Sequence, residues 1–239
     1  MAWGRTDGTS AFQLDHDEED KITTWVKKNK KVLIDEIIGD TEPQTNPTAI
    51  IMAGIPGAGK TEFLSHMTPE VDEIVVIDLD TIVTKIPDYK PEEYYQYRKT
   101  ANILISGILT KALKNRLNFA LDGTFSHEKG AENIKRALKR DYEVNLFFVD
   151  QAPELAWEIT KARRLLTGRP IEREGFVKVC HNVVPNIQNA IREFRNDSNF
   201  LVSVIKKDDL NKYEYIDDHK QVDNYLKVVY SRYIKKVQQ

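Results

Sequence analysis

The sequence predicts an α/β fold in which a mostly parallel sheet of five strands lies between helices on both faces. Short apolar runs alternate along the chain with longer segments of helical periodicity, which is typical of parallel strands joined by helical crossovers. A glycine-dense segment, "GIPGAGKT", also follows the first apolar run and precedes a helical segment. Such a loop is expected at the carboxyl edge of a parallel sheet, where open α/β folds bind their ligands.

Each predicted strand is a short apolar run bounded by polar or turn residues. The five runs are TAIIMA (48–53), EIVVID (73–78), NFALD (118–122), EVNLFFVD (143–150) and FLVSVI (200–205).

The predicted helices share apolar residues three and four positions apart. They cover 17–38, a segment that begins at Lys60, 91–117, 128–140, 153–167, 172–195 and 219–236, with a bend possible at Pro185.

Composition limits the possible functions. The chain has 239 residues, 41% of them hydrophobic and 30% charged, as in ordinary globular proteins. A net charge of −2 gives no electrostatic footprint for nucleic acid, so nucleic-acid binding is not expected. No apolar run is long enough to cross a membrane, and the polar, acidic first 20 residues do not resemble a secretory signal. With one cysteine, Cys180, these features predict a cytoplasmic protein.

The sequence also predicts a division into three parts. Residues 1–47 form an N-terminal extension with one helix, and about the first 16 of them are expected to be disordered. Residues 48–205 carry the alternating strands and helices, and residues 206–239 form a C-terminal helical extension. The proline-containing stretch "GDTEPQTNPT" supports the first boundary, because such stretches form connecting loops.

The glycine-dense segment matches the phosphate-binding loop G-x-x-x-x-G-K-[ST]. Glycines let its backbone N–H groups point at phosphate oxygens, and the helix that follows adds its positive end. Lys60 is expected to reach the β and γ phosphates of ATP and Thr61 to ligate Mg²⁺. The predicted nucleotide contacts are Gly54, Pro56, Gly57, Ala58, Gly59, Lys60, Thr61 and Glu62.

The residues around this loop favour a kinase over a switch or a motor. A GTPase would need Asn-Lys-x-Asp, and a motor ATPase a strand that ends in Asp-Glu; the sequence has neither. The second strand instead ends in "IDLDT", so Asp78 and Asp80 are expected at the carboxyl edge of the sheet. A kinase of small molecules needs a carboxylate there to orient and deprotonate an acceptor hydroxyl. Asp80 is the predicted base and Asp78 a predicted Mg²⁺ ligand, whereas the alternative is that both cap the next segment.

Two further segments supply candidate groups. The third strand ends in "ALDGTFS", where Asp122 is expected to bind the acceptor or Mg²⁺ and Thr124 to donate a hydrogen bond, unless this is an ordinary turn. The segment "RRLLTGRPIER", residues 163–173, is predicted to be a lid whose arginines stabilise the transferred charge. Arg164 and Arg169 are the predicted catalytic arginines. A solvated basic cluster is the alternative.

Taken together, "GIPGAGKT", "IDLDTIVTKIPDY", "ALDGTFS" and "RRLLTGRPIEREGF" resemble the zeta-toxin family of P-loop kinases over about residues 48–205. The resemblance implies a P-loop kinase-type three-layer sandwich. It also implies an enzyme that uses ATP and Mg²⁺ to phosphorylate the 3′ hydroxyl of the sugar of UDP-N-acetylglucosamine, as part of a toxin–antitoxin system with an antitoxin protein as partner.

The resemblance places the family's base at Asp80, its P-loop lysine at Lys60 and its substrate-contacting acid and threonine at Asp122 and Thr124. The lid arginines fall on Arg163 or Arg164 and on Arg169. The chain differs from the family in having Asp122 where Glu is usual, and in lacking a carboxylate in "ANILISGILTK" of the long helix. Two alternatives therefore stay open. One is a kinase for a polynucleotide end or another metabolite, and the other is an ATP-binding module without transferase activity.

Overall fold

The structure is a computed structural model that describes residues 16–71, 73–170, 172–207 and 213–237. In this part of the chain, a six-stranded sheet forms the centre of the fold. Its strands are β1 (Thr48–Ala53), β2 (Ile74–Asp78), β3 (Asn118–Asp122), β4 (Glu143–Asp150), β5 (Phe200–Lys207) and β6 (Tyr213–Ile216).

The strand order is β2-β3-β1-β4-β5-β6, with the first five strands parallel and β6 antiparallel to β5. The predicted α/β fold with a mostly parallel sheet is confirmed. The count of five strands was too low, because β6 has only four residues and its apolar pattern was too short to predict a strand. Strands β1 and β4 have almost entirely buried side chains, as expected at the centre of a sheet covered on both faces.

Eight α-helices surround the sheet among the described residues, and a turn of 3₁₀ helix at 91–93 leads into the fourth. They are α1 (His16–Ile38), α2 (Lys60–Met67), α3 (Leu79–Val83), α4 (Tyr94–Asn115), α5 (Lys129–Leu138), α6 (Pro153–Thr167), α7 (Arg173–Phe194) and α8 (His219–Val237).

The predicted helices are present, and α7 continues through Pro185 as one helix. Helix α3 was not predicted. It begins directly at the end of β2, so Asp80 lies in a first helical turn and not at the strand end where the sequence placed it.

Helix α1 packs outside α4 and runs parallel to it. Glu19 near the start of α1 pairs with Lys99 near the start of α4, with 2.7 Å between the charged atoms. Farther along, a Cβ added at Gly107 of α4 would lie 2.4 Å from Cδ1 of Ile34 in α1. Glycine at position 107 therefore allows the two helices to approach closely.

Helix α8 is joined to the centre of the sheet through a buried charge. Asp150 is the last residue of β4, and its side chain is only 5% exposed. Its carboxylate accepts hydrogen bonds from Tyr225 Oη at 2.8 Å, from Tyr233 Oη at 3.2 Å and from the Arg232 guanidinium. All three donors belong to α8, so this helix neutralises and solvates the carboxylate in place of water.

None of the helices in the described ranges is both long and apolar enough to span a membrane. The lead-in predicted to be disordered falls almost wholly outside the described residues. The predicted division at residues 47 and 205 remains a prediction.

Candidate active site

The phosphate loop joins β1 to α2, as the sequence predicts. Gly54, Gly57 and Gly59 have φ values of +144°, +81° and +88°, which side chains with a Cβ rarely adopt. A Cβ at Gly57 would also lie 2.2 Å from the carbonyl oxygen of Ala156 in α6. The loop therefore needs glycine at position 57 both for its conformation and for its contact with α6.

The remaining predicted nucleotide contacts line the same turn. Pro56 is partly exposed, Ala58 is buried, and the Ala58 amide donates to the Ile55 carbonyl at 3.1 Å. Glu62 lies in the first turn of α2, where a Cβ on Gly59 would lie 3.3 Å from its Oε2.

Lys60 is the first residue of α2, and its side chain folds back over the loop to donate from Nζ to the Ile55 carbonyl at 3.0 Å. Burial lowers the pKa of this ammonium to about 8; the charge of Asp122 opposes that shift and the charge of Arg163 adds to it. The loop thus holds a cation whose own environment disfavours its charge. A bound phosphate would supply the missing counter-charge.

Thr61 and Asp122 meet at the carboxyl edge of the sheet. Thr61 Oγ1 donates to Asp122 Oδ2 at 2.6 Å. Burial raises the pKa of Asp122, while the hydrogen bond from Thr61 and the charge of Lys60 lower it. The parallel register pairs Asp122 with Asp78 on the neighbouring strand. Thr61, Asp122 and Asp78 are therefore neighbours at this edge of the sheet.

The chemistry of these groups fits Mg²⁺, which prefers oxygen ligands and is usually held by one or two carboxylates together with phosphates and water. The described residues contain no group of three or more His, Cys, Asp or Glu side chains that could hold a metal ion by themselves. The hydroxyl of Thr61 and the carboxylate of Asp122 would therefore share the ion with the phosphates of a nucleotide.

Asp78 caps helix α3. Its Oδ1 accepts from the Asp80 amide at 3.1 Å, and its Oδ2 accepts from the amide and the hydroxyl of Thr81 at 2.9 and 2.7 Å. The capping role that the sequence left open thus exists for Asp78. Its role as a Mg²⁺ ligand remains a prediction, and it would have to be compatible with these three hydrogen bonds.

Asp80 is held by two partners from distant parts of the chain. Tyr94 Oη donates to its Oδ1 at 2.9 Å, and the Arg169 guanidinium donates to its Oδ2. The Asp80 side chain is 44% exposed, so the carboxyl group is accessible to solvent and is not turned into the core. Its charge also acts on Lys60, which places the predicted base beside the phosphate loop.

The lid arginines are divided among three elements. Arg163 and Arg164 belong to the last turns of α6, and Arg173 begins α7, so only Arg169 lies in the connection between these helices. The charges of Arg163 and Arg169 both lower the pKa of Lys60, so both guanidinium groups lie within electrostatic reach of the phosphate loop. Arg164 is exposed.

The loop after β3 is tied to the phosphate loop and folded tightly. The Gly54 amide donates to the Thr124 carbonyl at 3.2 Å, and the hydroxyls of Thr124 and Ser126 lie 2.8 Å apart. Phe125 between them has a φ of +57° and a buried ring. This loop therefore places Thr124 beside Asp122 in a fixed geometry.

Tyr94 is the site residue whose role the sequence did not reveal. Tyrosines 89, 94, 95 and 97 lie in or just before the first turn of α4. Tyr97 packs, because it is 3% exposed and its hydroxyl donates to the Asp88 carbonyl at 2.9 Å. Tyr94 contacts both Asp80 and Arg169, and the only signal in the sequence was its place at the start of the long helix.

Several solved structures have a similar fold. One is from the PezAT chromosomal toxin–antitoxin system of the human pathogen Streptococcus pneumoniae; it has a TM-score of 0.54 and 16% identity, covering 96% of this chain and 99% of that one. The AvrRxo1-ORF1:-ORF2 structure with ATP has a TM-score of 0.61 and 13% identity, covering 88% and 73%. The AvrRxo1-ORF1:AvrRxo1-ORF2 structure with sulphate ions has a TM-score of 0.60 and 12% identity over the same shares.

These likenesses confirm the P-loop kinase-type fold. A comparison of the sequence with curated proteins found no match. The family model of Zeta toxin matches residues 34–218, which is most of the chain. That match confirms the resemblance drawn from the motifs: the protein belongs to the zeta toxin family.

Proposed function

We propose that this protein is an ATP-dependent kinase that transfers the γ-phosphoryl group to a hydroxyl of a small substrate. The observation that carries the proposal is the meeting of Lys60, Thr61 and Asp122 with the Asp80–Arg169 pair at one edge of the sheet. Phosphoryl transfer needs such a set: a cradle for the phosphates, a group that accepts the proton of the acceptor hydroxyl, and cations at the transferred oxygens.

The preferred acceptor in this proposal is a nucleotide sugar such as UDP-N-acetylglucosamine. Membership of the zeta toxin family supports it. Asp122 and Thr124 would contact the sugar from the loop after β3. The acceptor oxygen attacks the γ phosphorus in line, its proton passes to an Asp80 carboxylate oxygen, and the bond to the β–γ bridging oxygen breaks to release ADP.

The side chains would divide the work by position. Lys60, released from the Ile55 carbonyl, would pair with the β and γ phosphates. Arg169, and with it Arg163 or Arg164, would pair with the transferred oxygens, so Arg169 must exchange Asp80 for phosphate. Thr61, with Asp122 or Asp78, would hold Mg²⁺, which supplies positive charge at the phosphates.

The proposal extends to a protein partner. Several similar folds are known from complexes, namely the PezAT toxin–antitoxin system and AvrRxo1-ORF1:-ORF2. We therefore propose that an antitoxin protein binds this chain and restrains its activity.

The test is incubation with ATP, Mg²⁺ and single acceptors, with UDP-N-acetylglucosamine first and a mixture of small metabolites second. Mass spectrometry should show an acceptor that gains one phosphoryl group. Asp80→Asn should abolish this product and leave ATP affinity within a fewfold of the wild type. ATP hydrolysis that needs no acceptor and is unchanged in Asp80→Asn would instead identify an ATP-binding regulatory module.

A further inference from the structure

We propose that Tyr94 is a positioning residue that aims the Asp80 carboxylate and holds the lid arginine Arg169 beside it. This role rests on the proposed phosphoryl transfer, because it concerns the base and the cation of that reaction. Tyr94 would touch neither the nucleotide nor the acceptor, and would act through the two residues that do.

The three side chains contact one another in a closed set. Tyr94 Oη donates to Asp80 Oδ1 at 2.9 Å. The Arg169 guanidinium lies over the Tyr94 ring, 3.7 Å from its centroid, and also pairs with Asp80 Oδ2. Tyr94 itself is only 2% exposed, whereas the side chains of Asp80 and Arg169 are 44% and 30% exposed. The buried ring is therefore the fixed member, and the two charged groups are the ones that can exchange partners.

The hydroxyl of Tyr94 stays a donor over the whole working pH range. Burial is the main cause that raises its pKa, the charge of Asp80 raises it further, and the charge of Arg169 opposes both. A protonated phenol can donate one hydrogen bond to a carboxylate and cannot compete for the proton of the acceptor.

This arrangement gives the two carboxylate oxygens of Asp80 different partners. When Arg169 turns to the phosphoryl oxygens, Asp80 Oδ2 becomes free to accept the proton of the acceptor hydroxyl. Oδ1 remains bonded to Tyr94 through that exchange, so the carboxylate keeps its orientation. A base held in this way loses less freedom at the transition state than one that rotates on an exposed side chain.

The start of α4 and the 3₁₀ turn before it also contact residues on either side of Arg169. The Glu172 amide donates to Tyr95 Oη at 3.1 Å, and a Cβ added at Gly168 would lie 3.7 Å from Cβ of Pro91. Residues on both sides of Arg169 therefore contact α4 or the 3₁₀ turn that leads into it, and the Tyr94 ring lies beneath the arginine between them.

Two substitutions at position 94 separate the two parts of the role. Tyr94→Phe keeps the ring under Arg169 and removes the donor to Asp80. We expect it to lower kcat with the acceptor roughly tenfold, because it removes a hydrogen bond to a charged group, and to leave KM for ATP within about twofold. Tyr94→Leu removes the ring as well, and we expect a further loss of about fivefold.

The matched control is Tyr97→Phe, which removes a buried hydroxyl from the same helix that donates to the Asp88 carbonyl. It should lose a similar amount of thermal stability and keep wild-type kcat. A Tyr94→Phe protein with the kcat of Tyr97→Phe would overturn the positioning role. A Tyr94→Phe protein in which kcat is unchanged and only KM for ATP rises would overturn it as well.

A second measurement does not depend on turnover. Hydrogen exchange of the amides at 163–169 in the ligand-free protein should be several-fold faster in Tyr94→Leu than in Tyr97→Phe, because the lid loses its support. Equal exchange would overturn the support of Arg169 by Tyr94. If no acceptor is phosphorylated by the wild type, the proposed function fails, and the exchange comparison still decides whether Tyr94 holds the lid.

Discussion

The phosphate loop and the lid lie near each other at the carboxyl edge of the sheet, but different interactions hold them in place. The phosphate loop takes its shape from the backbone: it has three glycines with positive φ, and its Gly54 amide donates to the Thr124 carbonyl in the loop after β3. The lid is placed by side chains, because Arg169 is held by Asp80 and Tyr94, and the Glu172 amide by Tyr95. The half of α6 that leads into it, 161–167, is exposed along its whole length.

This difference assigns separate tasks to the two regions. A backbone loop with Gly57 packed against α6 is formed before a nucleotide arrives, so binding needs little rearrangement. A partly exposed arginine held by one ion pair and one ring can change partners at small energetic cost. The first region is suited to hold the phosphates, and the second is suited to close over them and release the product. Substitutions in the two regions should therefore have different effects.

The largest effect is expected from Gly57→Ala. The new Cβ would meet the Ala156 carbonyl oxygen at 2.2 Å and force a positive φ on alanine. We expect the free energy of unfolding to fall by about 2–4 kcal/mol and ATP binding to be lost in titration calorimetry. Gly175→Ala in α7 is the control, since its Cβ meets nothing closer than 3.8 Å. Wild-type ATP affinity in Gly57→Ala would show that the cradle is not preformed.

Arg169→Ala should give the second largest effect, which is a loss of turnover and not a loss of stability. Turnover with the acceptor should fall about 10²–10³-fold, since a cation at the transferred oxygens is removed. The free energy of unfolding should change by less than about 1 kcal/mol, because the Asp80–Arg169 pair is partly exposed and therefore screened by solvent. A loss of stability as large as that of Gly57→Ala would mean that the lid is part of the rigid scaffold.

The same assay distinguishes the two arginines of α6. The sequence favoured Arg164, whereas the charge of Arg163 acts on Lys60. We expect Arg163→Ala to lower turnover at least tenfold more than Arg164→Ala. Equal losses, or a larger loss in Arg164→Ala, would show that the helix turns when the lid closes.

A smaller effect is expected in the pH dependence of activity, and it arises from Lys60 in the phosphate loop. Lys60 has a pKa of about 8 in the ligand-free protein, and the protonated form is the one that attracts phosphate. The value of kcat/KM for ATP should therefore be constant below that pH and fall about tenfold per unit above it. The decline of kcat should begin at higher pH, because bound phosphate raises the pKa. A kcat/KM that stays constant up to pH 9.5 would contradict this assignment.

The smallest effect is expected from Tyr95→Phe, which removes the acceptor of the Glu172 amide hydrogen bond. Exchange of that amide should become a fewfold faster, with turnover near that of the wild type. Tyr213→Phe, in β6, is a suitable control. A drop in turnover comparable to that of Arg169→Ala would show that one hydrogen bond fixes the whole lid.

The difference in construction also explains what could be predicted from the sequence. The phosphate loop is a contiguous segment whose glycines have a local conformational reason, so eight residues were enough to predict it. The environment of Asp80 depends on partners 14 and 89 residues away, and no local pattern links them. Helix α3 was missed because five residues are too few to show helical periodicity, although Asp78 has the side chain of a capping residue. The pairing of Asp78 with Asp122 required the strand order, which periodicity does not give.

The buried carboxylate at the end of β4 finds its partners only in a helix that is synthesised much later. Asp150 leaves the ribosome 75 to 83 residues before the tyrosines and the arginine of α8 that bind it. Until then an unpaired negative charge lies at the end of the strand whose Val149 carbonyl oxygen would be 2.7 Å from a Cβ on Gly54. We therefore expect the end of β4, which lies beside Gly54 of the phosphate loop, to reach its native arrangement only after α8 has been made and has docked on Asp150.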